Sequence, residues 1–183
     1  MGIRAWKSPV GWAGIAFSGE VLLGVLLPGP GGRAAILERL ALAFPGAARE
    51  GEAGREIASA IERRLSGRGE GPRVSPGGLT PFTVSVLSWM SRIPPGRVAT
   101  YGAVASWMGR PGAGRAVGGA AARNPVPLLV PCHRVVGSAG RLVGFSSAGG
   151  LAQKEKLLRG EGVRFLEDRR GVVERSCMLE TPP

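Results

Sequence analysis

At positions 132 and 133 a thiol stands beside an imidazole, in the run Pro131-Cys132-His133-Arg134-Val135. His133 is the only histidine of the chain, Asn124 the only asparagine and Tyr101 the only tyrosine. A composition that has nearly discarded these three types keeps one of each near the same cysteine. The pattern points to a nucleophilic cysteine in a site built for one substrate. An unperturbed thiol titrates at about 8.5, so only a few per cent is thiolate at neutral pH. Activation can come from His133, from Arg134 and from the absence of carboxylates in this stretch. Adjacent side chains usually point apart, so the expected link between Cys132 and His133 is a bridging water. A third group would orient the imidazole. Glu155 and Glu161 are the nearest carboxylates in sequence, and Glu161 is favoured because a helix end lets the chain turn back. Each residue also has a plainer reading. Cys132 could be a buried inert thiol, Asn124 a helix cap before Pro125, and Tyr101 a core residue whose hydroxyl needs a partner. For Cys177 the inert reading is preferred.

Composition limits the rest. With 183 residues, 44% of them hydrophobic, the chain is globular and long enough for one large domain or two small ones. No apolar run approaches the roughly 18 residues of a membrane span. No signal peptide is read at the N-terminus, so a cytoplasmic location is expected, on the nucleoid if the source is prokaryotic. Two cysteines far apart in sequence and one histidine make neither a disulfide framework nor a zinc site. The net charge is +11, unevenly placed. From position 71 to 154 there is no Asp or Glu, against Arg73, Arg92, Arg97, Arg110, Arg115, Arg123, Arg134, Arg141 and Lys154. A GC-rich coding bias explains the excess of Arg over Lys but not the missing carboxylates. Such a field attracts a polyanion, so nucleic-acid binding is preferred.

The elements that must hold these groups follow from periodicity. Residues 10–27 read as a hairpin turning at Gly19, 33–44 as a helix, and 55–65 as an amphipathic helix. Residues 66–79 are rich in Gly and Pro and read as a linker. Thr80-Pro81 is an N-cap and first-turn proline for a helix that stops before Pro94. Short helices are predicted over 101–108 and 115–123, joined by a Gly-containing turn as in a helix-turn-helix. The second of these carries Ala116, Gly118, Gly119, Ala120, Ala121 and Ala122 and is almost bare of side chains. An ordinary helix, about 10–12 Å across, is too thick for a minor groove about 6 Å wide. A thin one could approach it, or could equally pack tightly against a neighbouring helix. Val135-Val136, a turn at 137–140 and a small-residue loop at 144–150 follow. A helix over 151–159 is capped by Gly160. The tail from Arg164 reads as a solvated or frayed end.

Over residues 80–162 the chain resembles the O6-alkylguanine-DNA alkyltransferases. The resemblance rests on Pro131-Cys132-His133-Arg134-Val135, Arg115-Ala116-Val117-Gly118-Gly119-Ala120, Asn124-Pro125-Val126-Pro127, Gly144-Phe145-Ser146, and Leu151 with Lys154 and Glu161-Gly162. It implies an α/β (α+β) fold: a small ribonuclease-H-like domain over 1–75 and a winged-helix-like, helix-turn-helix-containing domain over 76–183. It implies a DNA repair protein, monomeric, acting on double-stranded DNA containing O6-alkylguanine, and possibly O4-alkylthymine. The damaged base would be flipped out, with Arg115 filling the gap. Cys132 would take the alkyl group irreversibly, so each molecule reacts once, without metal or organic cofactor. His133 would accept the thiol proton through water, oriented by Glu161. Tyr101 would donate towards guanine N3, and Asn124 would hold the Cys132 region. DNA contacts would come from Arg115, Ala116, Gly118, Gly119, Ala121, Arg123 and Arg134. Val135, Phe145 and Ser146 would line the base pocket.

The sequence departs from the family in two places. Phe145 stands where some members have tyrosine, and the zinc ligands of some members' first domains have no counterparts here. The competing readings are a non-catalytic lesion-recognition protein, a helix-turn-helix transcription regulator and a cysteine hydrolase with repeated turnover.

Overall fold

A computed structural model describes residues 1–8, 10–49, 51–75 and 77–183. Pro76, within the predicted linker, lies outside the described residues. The chain forms two compact units, of mixed α/β structure overall. The first comprises residues 1–78 with 125–129 and 147–149, and the second the remainder.

In the first unit, β1 (Gly2–Ser8), β2 (Gly11–Ser18) and β3 (Val21–Leu26) form an antiparallel meander. The predicted hairpin is β2–β3. The sequence reading assigned no element to β1, because Arg4 and Lys7 hid a segment whose Ile3, Ala5 and Trp6 are buried. After α1 (Gly32–Ala43), the short β4 (Ala48–Arg49) runs parallel to β1. After α2 (Glu52–Leu65), β5 (Arg73–Val74) runs parallel to β3, giving the order β4-β1-β2-β3-β5. Part of the predicted linker is therefore an edge strand. The two helices cover opposite sheet faces. Gly14 of β2 admits α1, since a Cβ there would lie 2.7 Å from both Ile36 and Leu40. On the other face, Phe17 fills the space over Gly54 of α2, where a Cβ would lie 2.8 Å from its ring.

The second unit opens with α3 (Pro81–Met90), where the Thr80 hydroxyl accepts the Thr83 N–H at 3.2 Å and Pro81 starts the helix. Then come β6 (Ala99–Thr100), α4 (Tyr101–Trp107) and α5 (Gly114–Ala121). A 3-10 turn over Cys132–Arg134 leads into β7 (Val135–Val136), and α6 (Gly150–Gly160) follows. Val86, Met90, Val104, Ala105, Val117, Ala120 and Val135 form one core. Ala105 of α4 and Ala120 and Ala121 of α5 share this core with the larger Val86, Leu87 and Met90 of α3, which gives the bare helix its structural use.

Two details position the site. β6 pairs in parallel with β7, Ala99 with Val135 and Thr100 with Val136. That pairing sets the start of α4, at Tyr101, beside the end of the Cys132 turn. Secondly, α6 ends differently from the prediction: Gly160 is still helical, and Gly162 (φ 83) is the left-handed residue. The Val163 N–H reaches the Leu158 carbonyl at 3.0 Å and the Gly162 N–H the Arg159 carbonyl at 3.0 Å, a Schellman-type stop. Glu161 sits inside this closing turn. The tail is also a correction. Phe165, Val172, Val173 and Cys177 are buried, Phe165, Val173 and Cys177 in one cluster with Val98, Val136 and Leu158. Phe165 bridges to Val173 and Val98 to Met178. The exposed charges of the tail alternate with these anchors, and the anchors were missed.

Candidate active site

Within the second unit a cavity of about 640 Å³ opens at the Cys132 turn. Tyr101, Arg115, Gly118, Ala121, Cys132, Gly144, Phe145 and Ser146 are among its walls. Cys132 is only partly buried, and it faces this space while His133 does not. The neighbouring imidazole is 2% exposed and lies behind the wall. Adjacent residues do point apart here, as their spacing predicts.

His133 Nε2 lies 2.8 Å from Glu161 Oε1. The same carboxylate accepts Arg134 Nε at 2.8 Å on Oε2 and Arg134 Nη2 at 2.8 Å on Oε1. Burial alone would raise the Glu161 carboxyl. The hydrogen bonds from His133 and Arg134, with their charges, outweigh it and hold the group down to about 2. An ionised carboxylate can only accept, so Nε2 carries the proton. Burial, helped by the positive charges of Arg134 and Lys154, lowers the pKa of His133 more than Glu161 raises it, and the resting ring is neutral. Nδ1 is thus left with the lone pair, and the imidazole is set up as a base.

The Cys132 thiol is pushed up by burial, so it rests protonated. A hydrogen bond from Asn124, the positive charge of Lys154 and backbone donors act in the opposite direction and favour the thiolate once it forms. Asn124 Nδ2 also donates to the Val130 carbonyl at 2.8 Å, pinning the approach to Cys132. Between them the loop holds Leu128 at φ 78, uncommon for a branched residue. Tyr101 is half-buried at the cavity wall. Burial, and then the nearby Cys132, raise its hydroxyl to about 12, so it is a donor at neutral pH.

The sequence reading counted Lys154 among the cations facing a polyanion, and the structure corrects this, since it is fully buried. Its Nζ donates to the carbonyls of Val135 (2.6 Å), Val143 (2.8 Å) and Gly144 (3.2 Å). One ammonium thereby ties the strand after Cys132 to the Gly144 wall. Burial lowers it to about 8, against the pull of Cys132. The available signal was a lysine on the apolar stripe of α6, among Leu151, Leu157 and Leu158, where a solvated charge does not belong.

Of the predicted DNA-facing residues, Arg115, Ala116, Gly119 and Arg123 are exposed. Gly118 lines the cavity, and a Cβ there would stand 3.8 Å from the Tyr101 ring. Three expectations need correction. Arg134 spends its guanidinium on Glu161 and, at 2.6 Å through Nη1, on the Ile93 carbonyl; its side chain is 12% exposed and holds the Glu161 carboxylate. Ala121 is buried, forming core and cavity wall instead of an outer face. Val135 is fully buried in the core and does not line the cavity. Phe145 and Ser146 do line it. Cys177 is buried and accepts the Arg164 N–H at 3.4 Å. Among the described residues no group of three His, Cys, Asp or Glu stands ready for a metal, and no helix is long and apolar enough to cross a membrane.

Residues 81–163 match the family described as 6-O-methylguanine DNA methyltransferase, DNA binding domain. The methylated-DNA–protein-cysteine methyltransferase of Salmonella typhimurium is 51% identical over 89 residues, covering 49% of this chain and 51% of that protein. The match thus spans about half the length of that curated relative. A crystal structure of Mycobacterium tuberculosis O6-methylguanine methyltransferase superposes with TM-score 0.70 and 29% identity, over 87% of this chain and 92% of the other. One of M. tuberculosis OGT in complex with DNA gives TM-score 0.70 and 29% identity, over 88% and 92%. Cys132, His133, Glu161 and Asn124 all lie within residues 81–163, so the site is built inside the stretch that is similar to the DNA-binding domain of the 6-O-methylguanine DNA methyltransferases.

Proposed function

We propose that the chain repairs double-stranded DNA by moving the alkyl group of O6-alkylguanine irreversibly onto Cys132. The observation that carries this reading is a thiol in the wall of a cavity large enough to take a base, backed by a neutral imidazole whose far nitrogen is bonded to an ionised carboxylate. The damaged base leaves the stack for the cavity, the only way its O6 substituent can meet a wall-mounted sulfur. Arg115, in the first turn of α5, fills the vacated place. Phe145 supplies a ring face for the base and Ser146 a polar edge.

In the transfer, the thiol proton passes to His133 Nδ1 through water, and Glu161 stabilises the imidazolium. The sulfur–carbon bond forms as the carbon–O6 bond breaks. The electron pair of the broken bond goes to the guanine ring, which takes a proton from the Tyr101 hydroxyl. Asn124 and Lys154 stabilise the thiolate while it exists. The product thioether has no leaving group to return, so the reaction is a single turnover and draws on no metal or organic cofactor.

Two finer assignments accompany this reading. Residues 1–75 are a ribonuclease-H-like domain, supported by the three-stranded meander flanked by parallel edge strands and helices. Residues 76–183 are a winged-helix-like DNA-binding and transfer domain, supported by the α4–turn–α5 pair and the small β6–β7 ribbon. The chain acts as a monomer in the cytoplasm. Titration with duplex DNA containing O6-methylguanine tests the reading. Repair should stop at one lesion per chain and be absent in Cys132→Ala; repair that continues past one lesion per chain would overturn it.

A further inference from the structure

The α3–α4 surface of the second unit carries a feature that the alkyl-transfer site leaves unused. Phe82 and Trp89 are seven residues, nearly two turns, apart in α3. Both rings therefore project from one helix face, about 10 Å apart along the axis. Trp107, the last residue of α4, brings its ring to 6.3 Å from that of Trp89. All three rings are only partly buried. A guanidinium lies over each end of this ribbon, Arg92 at 4.4 Å from the Trp89 ring centre and Arg110 at 5.7 Å from that of Phe82. Both arginines are exposed, and among the described residues no carboxylate pairs with either.

An arginine stacked on a ring is held flat, with its edge N–H donors still available for a bidentate partner. No Asp or Glu lies anywhere from position 71 to 154, so the surrounding chain offers the arginines no competing anion. A DNA duplex carries a charge for every ~1.7 Å of its axis, so two cations seated over rings of one helix face meet phosphates in any register. An acidic protein would need carboxylates placed to match both. Partly exposed rings beside arginines are also a recurring feature of nucleic-acid surfaces.

We infer that this ribbon is a second DNA-backbone contact. Arg92 and Arg110 grip phosphates of the duplex outside the everted base, and Trp89, Trp107 and Phe82 are their platforms. The partner rests on the repair reading, but the test needs no alkyl transfer. The affinity of the full chain for an undamaged duplex oligonucleotide would be followed against salt by fluorescence anisotropy. In the Arg92→Gln/Arg110→Gln double variant the slope of log affinity on log salt should become shallower by about 1.8, roughly 0.9 for each phosphate no longer neutralised, with weaker binding at low salt. Arg92→Lys/Arg110→Lys, which keeps the charge, should recover most of the slope, and an unchanged far-ultraviolet circular dichroism spectrum establishes that both variants fold. An unaltered slope in the Gln variant overturns the inference. So does an unaltered slope together with abolished binding to polyglutamate, which would assign the ribbon to an acidic protein partner. A chain that shows the predicted slopes yet never alkylates Cys132 would sink the repair reading and leave this contact standing.

Discussion

Glu161→Gln keeps the shape of the side chain behind His133 and removes its charge. The carboxylate accepts three bonds, each of 2.8 Å, from His133 Nε2, Arg134 Nε and Arg134 Nη2. The amide oxygen can keep the two on Oε1. The amide NH2 must then face Arg134 Nε–H, donor against donor. Bonds involving charged groups contribute about 1.5–3 kcal/mol each, against about 0.5–1.5 for neutral ones. Losing one bond and weakening another should lower stability by about 2–4 kcal/mol. The effect on the reaction is separate. When the thiol proton reaches His133, the imidazolium forms 2.8 Å from an anion in the wild type and from a neutral amide in the variant. If that difference is about 2–3 kcal/mol, transfer slows roughly 30- to 150-fold, at tenfold per ~1.4 kcal/mol. The assay is the single-turnover rate of methyl transfer from O6-methylguanine duplex at saturating DNA, under conditions where denaturant titration shows the variant folded. A folded variant reacting within about threefold of the wild type would refute the claim that Glu161 supports the base.

Lys154→Met leaves three carbonyl groups without their common donor and removes the charge that favours the thiolate. A loss of about 3 kcal/mol in denaturant titration and slower alkylation of Cys132 by iodoacetamide at fixed pH are expected. Acid should weaken the fold in two stages. His133 has a lowered folded pKa, so the unfolded chain binds the extra proton, and stability falls as pH drops below the ordinary imidazole value of 6.5. Glu161 contributes stability that is complete above its ordinary 4.5 and lost as pH falls towards about 2. Denaturant midpoints measured from neutral pH down to about pH 3 check both signs. Gly144 has φ +53, and a Cβ there would stand 3.4 Å from the Tyr101 hydroxyl. Gly144→Ala should therefore cost about 1 kcal/mol and slow transfer by narrowing the cavity, as the same single-turnover assay would show.

Much of the site was legible because its chemistry is concentrated in short motifs. The Cys132–His133 adjacency, the pull of Glu161 towards the imidazole from a helix end, and the cap at Thr80 are local facts. What was missed depends on tertiary placement. Arg134 sits in a basic stretch and looks like a phosphate ligand, yet its fork is filled by Glu161 and Ile93. Nothing in one dimension separates an arginine that pairs inward from one that faces solvent. Lys154 shows the converse: its place on an apolar stripe was visible, but the three carbonyls that stabilise it come from residues 135, 143 and 144. The two-residue edge strands at 48–49 and 73–74 are too short to show periodicity. The tail from Arg164 buries its apolar residues between charges, which masked its anchoring.

The most direct measurement is the mass of the Cys132-containing peptide after the chain has been mixed with duplex DNA carrying O6-methylguanine. A nucleophilic Cys132 predicts that this peptide alone becomes heavier by one CH2 unit, in step with loss of the lesion. An unmodified Cys132 in a reaction that has consumed the lesion, or the added mass on Cys177, would contradict it.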